Sequence, residues 1–290
     1  MSALRQRSGP PDGRTRLLGI VGRPLDHSLS PRLQSAVLRM LERNLIYLPL
    51  PVSVERLPEL LSLAGEIGLL GLNVTTPYKE AVAGLVRAAD RETERTGMVN
   101  TIRFTPDGPQ GCGTDGVGIL DWMAAQRLDG LERGVLGFGP TARSLIHRAL
   151  AIGRPVRWIV TRRPAVVRET VRSWGDAEVE VCGWDGLSAI LRPRGRTLWV
   201  STLPPAAFPL PDEFWDRIGR RALLLDMNYG DGRTPAVAEA RGRGLPAADG
   251  RGPLLHQAAR SLSLWLGEEV PVKLFQAALG EAPSALRPRR

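Results

Sequence analysis

Apolar residues occur in this chain in two recurring forms. Some are short unbroken runs of the kind that make buried strands; others are spaced every three or four residues, as on one-sided helices. Leu17–Val21 (LLGIV) is the first run, closed by Gly22 and Pro24. Ser30 and Pro31 then form a helix start, with serine as N-cap and proline as first helical residue. Leu33, Val37, Leu38 and Leu41 carry the apolar stripe to about Asn44. Ile46–Val52 predicts a second strand, Val54–Ile67 a helix opening near Ser53, and Gly71–Thr75 a third strand. Pro77 predicts a helix running to about Ala89, and Asn100–Thr105 with Gln110–Gly113 predicts paired strands around Pro106-Asp107-Gly108.

After Asp115 the pattern changes. A helix is expected over Gly118–Gln126. The run Gly134–Leu136 then leads into Gly137-Phe138-Gly139-Pro140-Thr141-Ala142 and a helix to about Ile152. Strands at Val156–Val160, Val179–Val181, Thr197–Val200 and Leu223–Met227 alternate with helices at Val166–Ser173 and Leu187–Leu191. Strand, glycine turn, helix and strand in repetition predict a doubly wound parallel sheet. Leu254–Trp265 and Val272–Leu279 read as closing helices. The expected fold class is therefore α/β in two domains, one of them Rossmann-like, which suits 290 residues.

Composition narrows the function classes. The apolar runs are far shorter than the roughly 20 residues of a membrane span, and the polar N-terminus has no apolar segment like that of a secretory signal. No membrane partner is expected, and a cytoplasmic setting is. Cys112 and Cys182 stand alone, with no Cys/His cluster, so no metal site is expected. The formal net charge is +9, but the arginines are scattered, with no basic block interleaved with aromatics. Nucleic acid is not the expected partner; a small polyanion such as a dinucleotide phosphate is equally served by a positive field. Of the 39 lysines and arginines only Lys79 and Lys273 are lysine. An ammonium can lose its proton where a guanidinium cannot, so Lys79 is a candidate for proton transfer. Chance retention is the competing explanation.

The glycine turn Gly137-Phe138-Gly139 lies between a strand and a helix, the context a dinucleotide fingerprint requires; Ala142 stands at its third glycine position. An ordinary tight turn has the same spacing. At the end of the next strand, where an acidic residue would read a ribose hydroxyl, the chain has Thr161-Arg162-Arg163. Two guanidiniums suit a 2′-phosphate, which favours NADP over NAD; a solvated basic turn is the alternative. Thr75 and Lys79 come to one strand end, and Asn100, Thr114 and Asp115 lie in loops, the makings of a small polar ligand site. Each could instead cap a helix or turn, Asp115 in particular. His27, His147 and His256 are too dispersed for a His-based centre, and His147 reads as structural.

Taken in order, these motifs resemble the shikimate dehydrogenase family, to which quinate dehydrogenase-like enzymes are close. They are His27-Ser28-Leu29-Ser30-Pro31, Asn73-Val74-Thr75-Thr76-Pro77-Tyr78-Lys79-Glu80, Val99-Asn100-Thr101, Thr114-Asp115-Gly116 and Gly137-Phe138-Gly139. Asp226-Met227-Asn228-Tyr229, Thr234-Pro235 and Leu254-Leu255-His256-Gln257-Ala258 complete the set, and the match runs from about Leu17 to Leu279. Residues 1–16, polar and rich in Gly, Pro and Arg, read as a flexible tail. The resemblance implies a substrate-binding domain over 17–114, an NADP-binding Rossmann-like domain over 115–248, and helices over 249–290 that return to the substrate domain, with the active site in the cleft. It implies oxidation of shikimate to 3-dehydroshikimate, a place in aromatic amino acid biosynthesis, and a monomer or homodimer.

By the matching motifs, Lys79 and Asp115 would be catalytic. Ser28 and Ser30 would take the substrate carboxylate, and Thr75, Asn100 and Gln257 the ring hydroxyls, with Tyr229 close by. Gly137, Phe138, Gly139, Pro140, Thr141, Ala142, Thr161, Arg162, Arg163, Thr202 and Met227 would hold NADP. Departures from the family pattern cluster in the cofactor half. Pro140 replaces the last glycine of GAGG, Thr161 the asparagine of Asn-Arg-Thr, and Val200-Ser201-Thr202 the usual Asn-Ala-Thr. Leu254 replaces a frequent methionine, and in the substrate half Gly113 replaces an asparagine. Quinate or aminoshikimate dehydrogenase is the neighbouring alternative. A shikimate-binding regulator with a degenerate nucleotide site is the alternative of another class.

Overall fold

The computed structural model describes residues 10–175, 178–192, 195–230, 234–280 and 286. The described residues form two compact units: those from 10 to 114 with 255–280, and those between 115 and 254 with residue 286.

The first unit opens with β1 (Arg16–Val21), α1 (Ser30–Met40), β2 (Leu45–Leu50), α2 (Leu57–Leu63) and β3 (Leu69–Val74). It continues with α3 (Lys79–Ala83), β4 (Arg87–Ala88), α4 (Arg91–Thr96), β5 (Thr101–Thr105) and β6 (Gly108–Cys112). Among the described residues its sheet has six strands in the order β2-β1-β3-β5-β6-β4. The pairs β2–β1–β3 are parallel, whereas β5 runs antiparallel to both β3 and β6. The C-terminal ends of β1, β3 and β6 and the N-terminal end of β5 therefore share one sheet edge. Val21, Leu57, Leu72, Val74, Val82, Val99 and Ile102 fill the core beneath it.

Several local expectations shift here. Ser30 is the first helical residue of α1 and Leu29 occupies the cap in a helical conformation, so Ser30 is not the N-cap. The Ser28 hydroxyl does the capping instead, accepting from the Ser30 amide at 3.3 Å. The expected helix over 54–67 is a 3-10 turn, Val54–Arg56, followed by the shorter α2. The helix expected from Pro77 to Ala89 spans only Lys79–Ala83, because Arg87 and Ala88 leave it to pair with Gln110 and Gly111 of β6. Of the expected tail, residues 1–9 lie outside the described residues. Asp12 and Thr15 are tied to Asn44, with Thr15 Oγ1 to Asn44 Oδ1 at 2.7 Å and Asn44 Nδ2 to Asp12 Oδ1 at 2.9 Å.

The second unit runs α5 (Asp115–Ala125), β7 (Glu132–Leu136), α6 (Pro140–Ala151), β8 (Trp158–Val160), α7 (Pro164–Ser173), β9 (Glu180–Cys182) and α8 (Leu187–Ile190). Then come β10 (Thr197–Ser201), α9 (Asp212–Ile218), β11 (Leu223–Asp226), α10 (Pro235–Gly242) and β12 (Ala247–Ala248). Its six described strands are all parallel, in the order β12-β11-β10-β7-β8-β9. The chain builds outward from β7 through β8 to β9, then crosses to β10 on the other side, which puts the topological switch point between β7 and β10. Both faces are covered: Val135, Leu198 and Val200 join one core, Leu136 and Trp199 the other. Strands apolar on both sides follow from that.

The long helix α11 (Arg251–Leu266) enters the first unit at Leu255, and α12 (Val272–Leu279) follows it. Trp265 docks α11 onto the first sheet: its indole donates to the Ile102 carbonyl at 2.8 Å and occupies the space a Cβ on Gly71 would need, 2.0 Å from Nε1. No described helix is long and apolar enough to cross a membrane, and no described group of His, Cys, Asp and Glu could hold a metal ion.

Candidate active site

The shared edge of the first sheet gathers the polar residues. Thr75 follows β3, its amide donating to Val21 at 3.1 Å, and Lys79 opens α3 one turn later. The Lys79 carbonyl accepts from Val99 at 3.2 Å, so α3 is fastened to the segment that delivers Asn100. Lys79 is 9% exposed, unusual for a lysine.

Asn100, Thr114 and Gln257 interlock. Asn100 Oδ1 accepts from the Thr114 amide at 2.6 Å, while its Nδ2 donates to Thr114 Oγ1 at 2.9 Å and reaches Gln257 Oε1 at 3.5 Å. Thr114 Oγ1 lies 3.3 Å from the same Gln257 oxygen. Gln257 thus turns its oxygen to the protein, which leaves its NH2 as the outward donor. Beneath this pair the Thr101, Thr114 and Ser261 hydroxyls form a triangle with sides of 3.0, 2.9 and 3.2 Å. Asn73 closes it: Nδ2 reaches Ser261 at 3.0 Å and Thr101 at 3.2 Å, and Oδ1 accepts from the Tyr47 hydroxyl at 2.7 Å. In a buried network each unmatched group would cost about 1–3 kcal/mol, so these bonds fix the amides in one orientation. Tyr47, Asn73 and Ser261 had no expected role. Two sequence signals point to them: a polar Asn73 in an apolar strand, and a serine one turn after Gln257.

The residues expected to face the nucleotide lie in the second unit, at the β7 and β8 strand ends. Gly137 has φ +96, a left-handed conformation that favours glycine, and its amide donates to Val160 at 2.9 Å. A Cβ there would also lie 2.7 Å from Thr202 Oγ1, at the switch point. Thr202 uses both its amide and its hydroxyl, each at 2.9 Å, on the Leu136 carbonyl. Gly139 caps α6 in extended conformation, and a Cβ added to it would meet nothing within 4 Å. What glycine provides at 139 is open space beside a helix N-terminus, which fits a pyrophosphate. Pro140 occupies the first helical position, where its missing N–H would have had no intrahelical partner. The Phe138 ring turns away to stack on Trp174 at 5.9 Å, with the Arg143 guanidinium 5.5 Å from it.

Arg162 and Arg163 are both exposed after β8, while Thr161 is buried and accepts from the Arg163 amide at 3.4 Å. Asp115 is the first residue of α5. Thr141 Oγ1 donates to its carboxylate at 3.4 Å, and the Gly116 amide donates to Ser144 at 3.0 Å, so α5 and α6 meet at their starts. Met227 and Tyr229 follow β11 in a loop held by Asn228, whose Nδ2 reaches the Leu203 carbonyl at 2.7 Å and Asp226 Oδ1 at 2.9 Å. Burial pushes the Asp226 carboxyl above its ordinary range, opposed by bonds from Thr234, Asn228 and Ser201.

Residues 20–102 match the family model described as the shikimate dehydrogenase substrate binding domain. The shikimate dehydrogenase (NADP(+)) of Methanopyrus kandleri is 32% identical to this chain, covering 93% of it and 97% of its own length. That of Crocosphaera subtropica is 30% identical, covering 93% and 97%. Among solved structures, a Thermus thermophilus shikimate 5-dehydrogenase in complex with NADP(H) and shikimate superposes with a TM-score of 0.76. It is 25% identical and covers 91% of this chain and 98% of that one. An Aquifex aeolicus shikimate dehydrogenase shares the fold, with a TM-score of 0.78 at 24% identity over 93% and 99% of the two chains. Its sequence relatives across nearly its whole length place it: the chain belongs to the shikimate dehydrogenase family.

Proposed function

We propose that this chain is an NADP-dependent oxidoreductase that interconverts shikimate and 3-dehydroshikimate. One observation carries the reading beyond family membership: a buried lysine, on a helix fastened by its backbone to the segment of Asn100, whose amide and that of Gln257 are locked by a hydroxyl network, in a chain with only two lysines. That is a site for a small polyhydroxylated ligand with one group able to move a proton.

Ser28 and Ser30 take the carboxylate. Ser28 already accepts from the Ser30 amide, and its own O–H remains a donor. Thr75, Asn100 and Gln257 hold ring hydroxyls, Gln257 through its outward NH2, with Tyr229 close by. Oxidation removes a hydride from C3 and a proton from its hydroxyl. Lys79 takes the proton or stabilises the alkoxide that develops; Asp115 orients Lys79 and accepts a hydrogen bond from a hydroxyl. In the reverse direction the ammonium returns the proton to the carbonyl oxygen. NADP, when bound, supplies the hydride acceptor. The 137–142 turn holds its pyrophosphate through backbone N–H groups, less the one Pro140 lacks, and Arg162 and Arg163 hold its 2′-phosphate. Thr202 and Met227 shape the adjoining wall.

The test is to mix purified protein with shikimate or quinate, and NADP or NAD, and follow reduced nicotinamide by absorbance. Shikimate with NADP is expected to turn over fastest. Calorimetric binding of shikimate without turnover in any combination would overturn the enzyme reading and favour a binding protein. Faster turnover of quinate would overturn the substrate, and preference for NAD the role of the two arginines.

A further inference from the structure

Gly22 follows the last residue of β1 and Thr75 the last residue of β3; Val21 and Val74 are paired, so the two lie side by side. Gly22 is buried and does not sit at a left-handed φ. Its backbone is open to any residue, so conformation does not account for glycine here. Space does: a Cβ at Gly22 would lie 2.3 Å from the Thr75 methyl, Cγ2, where real Cβ contacts are not found. The remaining neighbours are farther, Leu25 Cδ2 at 3.3 Å and Thr75 Cβ at 3.7 Å.

We propose that Gly22 is a positioning residue: the Thr75 methyl seats in the space its missing side chain leaves, and this fixes where the Thr75 hydroxyl points. A threonine has three staggered χ1 positions for its methyl, hydroxyl and hydrogen. With the methyl against Gly22, the hydroxyl has one place. Any rotation that moves the methyl away from Gly22 also moves the hydroxyl. Among the described residues no protein group bonds that hydroxyl, so it is available to a ligand. The proposal rests on the reading that Thr75 holds a substrate hydroxyl.

The experiment compares shikimate KM, NADP KM, kcat and thermal melting for wild type, Gly22→Ala, Thr75→Ser, the double variant, and Thr75→Val. Gly22→Ala should raise shikimate KM roughly ten-fold, the worth of one hydrogen bond in a desolvated site, and leave NADP KM unchanged. Thr75→Ser keeps the hydroxyl but loses the methyl that pins it, and should cost about two- to three-fold. The double variant should return to the Thr75→Ser value, because serine carries no Cγ2 to meet the new Cβ. A double variant no better than Gly22→Ala overturns the proposal. If Gly22→Ala does not fold, a folded double variant supports the proposal and an unfolded one overturns it. Thr75→Val separates the two levels. Unchanged shikimate KM in that variant removes the substrate role of Thr75 and the proposal with it. Raised KM there with a silent Gly22→Ala overturns the proposal alone.

Discussion

In the first unit the candidate ligand groups are side chains fastened to other side chains: Asn100 to Thr114 and Gln257, and these to Thr101, Ser261 and Asn73. In the glycine turn of the second unit the corresponding groups are backbone and space: the left-handed Gly137, the open side of Gly139, and a helix N-terminus. The difference accounts for the departure from the family pattern in the glycine turn, where Pro140 replaces a glycine. A site built from named side chains loses function when one is changed, so its residue types persist. A site built from backbone tolerates any residue that keeps the conformation. Pro140 is compatible with the first turn of α6, and Phe138 turns its ring into the core beside Trp174 without disturbing the turn.

The strongest way to break this contrast is Gly137→Val. A β-branched residue at φ +96 carries roughly 1–3 kcal/mol of strain, added to a Cβ 2.7 Å from Thr202 Oγ1. NADP affinity measured by calorimetry should fall at least about a hundred-fold, while shikimate affinity is retained. Next in size, replacing Arg162 and Arg163 together by serine should lower the preference for NADP over NAD by roughly thirty-fold, the worth of about 2 kcal/mol of charge-assisted bonding. Ratios of kcat/KM for the two nucleotides check it.

On the substrate side, Ser261→Ala removes one corner of the hydroxyl triangle. It should raise shikimate KM about five-fold and lower the melting temperature, with NADP KM unchanged, since one neutral bond is worth about 1 kcal/mol. A matching rise in NADP KM would show that the two ligand sites do not depend on separate supports. The smallest effect concerns the cysteines, one in each unit. Burial pushes the Cys112 thiol up to about 12 and the Cys182 thiol up to about 11. Both are protonated at neutral pH, so an aromatic disulfide reagent at about pH 8 should find neither in the native protein and both after denaturation.

Much of the fold is legible in the chain because its strands are short apolar runs set between turns. The misreadings have local causes. Ser30-Pro31 and Thr234-Pro235 carry the same helix-start signal. Thr234 caps α10, its hydroxyl accepting from the Val237 amide at 3.3 Å, yet at Ser30 the cap has moved back to Ser28. The polar α4 has a cap at Asp90 and a left-handed Gly97 at its end, but no apolar stripe to announce it. Arg87 and Ala88 look helical in sequence because their partner strand lies some twenty residues on, where no local pattern points. The site shows the same limit. Thr75, Lys79, Asn100, Thr101 and Gln257 stand in motifs, whereas Tyr47 and Ser261 become partners only when distant segments meet.

The central claim is that Lys79 moves the proton of the reacting hydroxyl. The direct measurement is kcat for shikimate oxidation by Lys79→Arg, with shikimate binding followed by calorimetry. An arginine keeps the charge but cannot take up a proton, so kcat should fall by at least about a hundred-fold, within the range general base catalysis supplies, while shikimate still binds. Turnover close to wild type in that variant would contradict the account.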